Sequence, residues 1–472
     1  MSFGIKKLIA WSIVLPVASM LFAYGLGYPS EIRLLGDAND YLAIADGIYS
    51  FSEVLSYAGD RTIGLPALEY LIWKVVILFK PADEVQAWAN AICGVLFAFH
   101  IAIAWFFSQW ARSGGLIRGE NASLFLFGFL GTYPALIGHT TTPLTDTFSL
   151  DLVVCALMVL HAAFEREVWY KVLGLAGAAA ALLAFSILVR PGNILGAGGM
   201  FAAGIALGFL RLRRTAFLIC AAALAGTLLL APYYYNCKRA YGVLCLQSPE
   251  NVNFLASAQG GLRGARTLWS KESVVPGQIP VLPDGVMYGG YYQRCQLTAF
   301  VGLDETSLTG CLINRPLLLP VYVVKKWIGL FDHFRFTPYL ENDTPFWLRW
   351  LSRGYDALAW LGLAAFFLAS FRAAMQLGRA GAKEWLAGAY APILLSVYPA
   401  VLLVQHTALH IEERYGFPLI PLCAVMLVKY GEKIGVYRSL SGTKQLLLAM
   451  YFIAVLAVFI TQVISWDNAP FY

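Results

Sequence analysis

Apolar positions in this chain fall in long blocks separated by mostly short polar connections. Blocks near 8–28, 86–110, 121–138, 143–163, 172–189, 192–210, 215–235, 355–371, 386–405, 415–430 and 446–465 each approach the roughly 20 residues a helix needs to cross a bilayer. They predict an all-α polytopic membrane protein with about 11 transmembrane helices. Two connections are long. The first, about 29–85, contains Leu65 to Phe79, an apolar run interrupted by Glu69 and Lys74. That run is short for a span and predicts an amphipathic helix in the membrane interface. The second, 236–354, is rich in Gly, Pro and Tyr and predicts a small extramembrane subdomain. Inside it, Leu317 to Phe336 mixes Val, Trp and Phe with Lys325 and Lys326, which predicts a second interfacial or re-entrant helix. The organisation is therefore an N-terminal transmembrane module (1–235), the 236–354 subdomain and a C-terminal set of helices (355–472).

Composition agrees with this reading. The chain is 59% hydrophobic and only 13% charged, far from the balance of soluble domains. Met1 to Lys7 is short and basic, and the apolar run after it continues to about Gly27 with no small-residue cleavage pattern, so a retained span is expected. With the N-terminus inside, the inner connections carry Arg112, Arg118, Arg166, Lys171, Arg211, Arg213, Arg214, Arg372, Lys429 and Lys433. The short outer connections carry mainly Arg190 and Arg414, as the positive-inside rule requires. Cys93, Cys155, Cys220 and Cys423 lie inside apolar blocks and read as packing residues. Cys237, Cys245, Cys295 and Cys311 share the second polar segment, which points to an oxidising compartment. Proximity favours Cys237–Cys245 and Cys295–Cys311 as disulfides.

Candidate chemistry gathers on the outer side. Asp37, Asp40 and Tyr41 share one face if their stretch is helical. Asp37 is either a helix N-cap or a catalytic base. Arg61 precedes the Gly64–Leu65–Pro66 turn and either binds a phosphate or pairs locally with Asp60 or a lipid headgroup. His139, a run of threonines, Thr145 and Asp146 open the fourth block. Asp146 is a first-turn acid or lines a polar cavity. Arg190 breaks the inside bias, so an ion-paired or functional role is expected. Near a later outer boundary stand His406, His410, Glu413, Arg414 and Tyr415. The two histidines have metal-binding spacing without a third ligand at fixed spacing, so no metal is expected. P-loop, dinucleotide and Gly-x-Ser-x-Gly motifs are absent from the sequence, and the scattered basic residues argue against nucleic acid.

In order and topology these motifs resemble the polytopic glycosyltransferases of the GT-C superfamily. The nearest likeness is to the group of protein O-mannosyltransferases and the lipid A aminoarabinose transferase. The resemblance rests on Asp37 to Tyr41, Arg61 to Pro66, Thr145–Asp146 and Glu413 to Pro418. It departs where many members have Asp-Glu, since Ala38 follows Asp37 and Asp40 is the nearest second acid. What the resemblance implies is an inverting glycosyltransferase. It would take a polyprenyl-phosphate sugar as donor and an acceptor hydroxyl on a glycolipid, polysaccharide or protein. Asp37 would be the base, with Asp40 and Asp146 supporting. Arg61, Arg190, Lys325, Lys326 and Arg414 would meet the donor phosphate. Tyr41, His139, Thr145, His406, Glu413 and Tyr415 would line the pocket. No cofactor is required. A bacterial inner membrane, with the site facing the periplasm, is the expected location. Two alternatives remain at this point: a ligase or polymerase of O-antigen type using a lipid-pyrophosphate donor, and a lipid-linked glycan transporter.

Overall fold

The computed structural model describes residues 37–140, 143–209, 213–248, 346–377, 390–408 and 413–433, together with isolated positions that include Trp327 and Leu330. Among the described residues the regular structure is helical, with no strand. The expected block 8–28, the pair Cys295–Cys311, Lys325, Lys326 and most of 446–465 lie outside the described residues.

The first outer connection folds as three short helices, α1 (Asp37–Asp46), α2 (Phe51–Ser56) and α3 (Gly64–Val76). Helix α3 buries Leu65, Glu69, Tyr70 and Val76, while Leu71 and Val75 remain exposed. One face thus packs inward and the other presents apolar groups outward, as an interfacial helix does. Helix α4 (Glu84–Ser113) begins where Asp83 accepts a hydrogen bond from the Gln86 backbone N–H at 2.9 Å. That is an N-cap placed just before a long apolar run.

The block 121–138, expected as one span, is instead two helices. Helix α5 (Glu120–Gly131) stops and a short α6 (Pro134–Gly138) succeeds it. Pro134 has no backbone N–H and disfavours a helical conformation at the residue before it, so the helix breaks there. Two antiparallel pairs come next, α7 (Thr145–Phe164) with α8 (Trp169–Val189) and α9 (Asn193–Phe209) with α10 (Arg213–Leu228). The block 215–235 runs on into α11 (Ala231–Tyr241), which carries the chain past the apolar run. A disulfide joins Cys237 to Cys245, as proximity had favoured. The late helices are α12 (Phe346–Leu377), α13 (Tyr390–Ala408) and α14 (Ile420–Lys433), the last preceded by a 3-10 turn over Glu413–Leu419.

Five described helices are long and apolar enough to cross a membrane: 84–113, 145–164, 169–189, 213–241 and 354–371. Two shorter apolar helices span 193–209 and 394–404. Phe106, Leu173, Ile205, Phe217, Leu224 and Phe371 are large apolar side chains exposed on these helices. In water such a surface would be costly, whereas against lipid tails it is solvated. The chain is an integral membrane protein. One interior cluster joins α4, α5, α6, α12 and α14, and another joins α7, α8, α9, α10 and α13. At the helix ends remote from α1, Arg118, Lys429 and Lys433 line a cavity of about 790 Å³ beside the first turn of α5.

Candidate active site

Two arginine–aspartate pairs stand on adjoining backbone at the ends of α3, α7 and α8. In the first, Arg61 donates to Asp40 Oδ2 at 2.8 Å, and its guanidinium lies 5.8 Å from the centre of the Tyr41 ring. Asp40 and Tyr41 are neighbours on α1, so one helix supplies both the charge partner and the ring. Tyr41 is buried, whereas the Asp40 side chain is 54% exposed. The structure therefore pairs Arg61 with Asp40, a partner the sequence reading did not assign.

In the second pair Arg190 Nη1 meets Asp146 Oδ1, and the other carboxylate oxygen lies 3.3 Å from His139 Nδ1. Asp146 is in the first turn of α7, and His139 comes directly after α6. Arg190 stands at the end of α8, just before Pro191 and Gly192 redirect the chain into α9. Three separate connections thus converge on one buried carboxylate. The Asp146 side chain is 2% exposed and that of Arg190 22%, so the carboxylate is buried and the arginine is partly exposed. The Phe417 ring sits edge-on to His139 with centroids 4.9 Å apart, bringing the late 3-10 turn to the same place.

Local contacts lock this geometry. Thr62 donates to the Val189 carbonyl at 3.2 Å, which joins the neighbour of Arg61 to the neighbour of Arg190. Gly64 is required there, because a Cβ would lie 2.5 Å from the Leu188 and Val189 backbone. Asn193 donates to Ser149 Oγ at 2.6 Å and to the Ser186 carbonyl at 3.0 Å, tying the start of α9 to α7 and α8. Thr147 donates to the Leu136 carbonyl at 2.9 Å, holding α6 against α7. Gly416 packs directly against the Leu330 carbonyl, where a Cβ would clash, so the second long outer segment meets the late turn. Near α2, Asn236 donates to the Leu55 carbonyl and the Ser248 N–H to the Gly59 carbonyl. The two long outer segments therefore touch.

Asp37 begins α1, three residues before Asp40 and four before Tyr41. Thr145 is buried at the start of α7. His406 lies on α13, and Glu413, Arg414 and Tyr415 lie in the 3-10 turn that contributes Phe417. The side chains of Asp37 and of these four late residues lie outside the description. Among the described residues no group of three His, Cys, Asp or Glu could hold a metal ion.

No protein-family model matches the chain, and no curated protein matches it. Solved structures do. The apo oligosaccharyltransferase of Archaeoglobus fulgidus superposes with a TM-score of 0.55 at 12% identity, over 99% of this chain and 56% of that one. The Archaeoglobus fulgidus oligosaccharyltransferase AglB in complex with an inhibitory peptide and a dolichol-phosphate gives 0.53 at 15% identity, over 99% and 57%. ArnT from Cupriavidus metallidurans bound to undecaprenyl phosphate gives 0.48 at 10% identity, over 97% and 76%. The chain shares the fold of these oligosaccharyltransferase structures. It spans a little over half the length of the oligosaccharyltransferase chains.

Two buried polar pairs, and the burial of Glu69, escaped the sequence reading. His100 and Asp151 form a buried pair between α4 and α7, 3.1 Å apart. Tyr133 donates to the buried Asp356 at 2.7 Å. Glu69 is buried on α3, and neither carboxylate oxygen has a hydrogen-bond partner among the described residues. Burial pushes its carboxyl well above the usual carboxylate range. The only sequence signal for each was a lone ionisable residue inside an apolar run, and nothing in the sequence named its partner.

Proposed function

We propose that this protein is an inverting glycosyltransferase that moves a sugar from a polyprenyl-phosphate donor to an acceptor hydroxyl on the outer face of the membrane. The observation that carries the reading is the Arg190–Asp146–His139 cluster beside Arg61–Asp40, in a GT-C fold. Such a donor needs cations to stabilise the charge that develops on the departing phosphate. Asp146 orients Arg190 from beneath, and a planar guanidinium matches phosphate oxygens in charge and geometry. Asp40 and Tyr41 position Arg61 in the same way. Arg414, on the turn that carries Phe417, and Lys325 and Lys326 complete the proposed phosphate-binding set. Tyr41, His139, Thr145, His406, Glu413 and Tyr415 are the proposed pocket residues. AglB, a structure of similar fold, was solved with a dolichol-phosphate, which supports a lipid phosphate as ligand.

Asp37 is the proposed base. It shares a face of α1 with Asp40 and Tyr41, because residues three and four apart are neighbours on a helix. The acceptor oxygen attacks the anomeric carbon and gives its proton to Asp37. The bond from that carbon to the phosphate oxygen breaks, the configuration inverts, and polyprenyl phosphate leaves with the electron pair. Asp37 then passes its proton to solvent. The leaving group is already a phosphate monoester, so no metal or nucleotide is needed in this scheme. The proposed site faces the periplasm of a bacterial inner membrane, and the oxidised Cys237–Cys245 pair agrees with a compartment of that kind.

The test uses purified protein and a radiolabelled polyprenyl-phosphate sugar. Release of polyprenyl phosphate with an acceptor extract supports the reading. Replacing Asp37→Asn is expected to lower turnover by about 10²–10⁴-fold. Turnover near that of the wild type would remove Asp37 from the role.

A further inference from the structure

The break between α5 and α6 leaves a carbonyl without its helical donor. In a continuous helix the Leu130 carbonyl would accept from the N–H of residue 134, but Pro134 has none. The Tyr133 N–H approaches it at 3.4 Å, a long contact. His100 Nε2, from α4, reaches the same carbonyl at 3.1 Å. A carbonyl only accepts, so Nε2 must carry a proton there. On the other side of the ring, Nδ1 faces both oxygens of Asp151 at 3.1 and 3.2 Å. His100 and Asp151 are both buried. The imidazole is held at one end by a carboxyl on α7 and spends its other end on the broken backbone.

The bend sets the course of the chain toward the arginine–aspartate pairs. Six residues after Tyr133, His139 sits against Asp146, and Asp146 holds Arg190. Other bonds fix the bend on its remaining sides. Thr147 holds the Leu136 carbonyl, Tyr133 donates to Asp356, and Thr132 lies 2.9 Å from the Tyr355 hydroxyl. Among the described residues, the contact that reaches the Leu130 carbonyl from another transmembrane helix is that of His100.

We infer that His100, oriented by Asp151, is a positioning residue that holds the α5–α6 bend by capping the Leu130 carbonyl and so sets His139 against Asp146. Its link to donor binding rests on the reading of Arg190 and Asp146 as part of a phosphate site; the bend itself does not. A buried carbonyl left with only long local donors is a local weakness, able to open its segment well before the whole protein unfolds.

The experiment follows amide hydrogen exchange across 130–140 in the full chain, reconstituted in lipid nanodiscs, together with the affinity for polyprenyl phosphate. His100→Leu is expected to speed exchange at 135–139 and to weaken polyprenyl phosphate by about tenfold. Adding Pro134→Ala returns a backbone donor to the Leu130 carbonyl. In the double variant exchange is expected to slow again, while binding stays weak because the straightened helix carries His139 elsewhere. Should His100→Leu fail to fold, Asp151→Leu and Asp151→Asn replace it. The amide of Asn can donate to Nδ1 while Nε2 keeps its proton, so Asn is expected to retain slow exchange and Leu to lose it. Unchanged exchange at 135–139 in His100→Leu or Asp151→Leu would overturn the inference. Recovery of tight binding in the Pro134→Ala double variant would overturn it too. If wild-type protein bound no polyprenyl phosphate, the functional reading would fall, and the exchange data alone would still decide whether His100 holds the bend.

Discussion

Arg190 and Asp146 form an ion pair in which the acid is buried and the base is partly exposed. The pair is asymmetric by construction. Asp146 sits in the first turn of α7, where the helix dipole favours an acid. Arg190 stands outside any helix, after α8 has ended and before Pro191. A buried carboxylate anchors a side chain that is partly exposed.

Removing the buried partner should cost more than removing the accessible one. Asp146→Asn is expected to lower the unfolding free energy by about 3 kcal/mol, since Arg190 then keeps its charge without its counter-ion. Arg190→Lys is expected to lower polyprenyl phosphate affinity more than stability, because an ammonium cannot span two acceptors as a planar guanidinium does. Thermal melts and lipid-phosphate titrations on the same preparations separate the two effects.

The Arg61–Asp40 pair should behave differently. Asp40 is more than half exposed, so solvent screens the attraction. Asp40→Asn is expected to change stability by no more than about 1 kcal/mol. Arg61→Ala is expected to leave the melt almost unchanged and to weaken lipid-phosphate binding. A large melting shift for Asp40→Asn would mean that the pair has a structural role.

Glu69 predicts a pH dependence of stability. Its folded-state pKa lies above the unfolded value of about 4.5 because burial penalises the charge. Between those two values the folded chain holds a proton that the unfolded chain has lost. Its contribution is therefore fully present below the unfolded value and is lost as pH rises toward the folded one. Melting temperature is expected to fall as pH rises above the unfolded value, and Glu69→Gln is expected to flatten the slope. An equal slope in both proteins would assign it to other groups.

Gly64 offers a steric test. A methyl group there meets the Leu188–Val189 backbone, which cannot swing away as a flexible side chain can. Gly64→Ala is expected to destabilise by about 1–3 kcal/mol and to shift α3 relative to α8. Gly94→Ala, in open space on α4, serves as the control and is expected to have no such cost. Chemical unfolding curves for the two variants make the comparison.

Much of the architecture was legible from periodic apolar blocks. The spans on α4, α7 and α8, the amphipathic character of α3 and the Cys237–Cys245 disulfide all follow from composition and spacing along the chain. The break at Pro134 was missed, because apolar content on both sides of it masks it in a reading by hydropathy alone. His139, Asp146, Arg61 and Arg190 each stood out as polar residues at an outer boundary.

Sequence alone determined which residues are expensive to place near lipid, because that cost depends on residue type and on the length of the surrounding apolar run. Tertiary structure alone decided how each is satisfied. Arg190 and Asp146 are 44 residues apart, and His100 and Asp151 are 51 apart. No local periodicity links such positions. Ion pairs and hydrogen bonds act over a few ångströms, so a partner is selected by how the helices pack, and packing brings together residues that the chain keeps far apart.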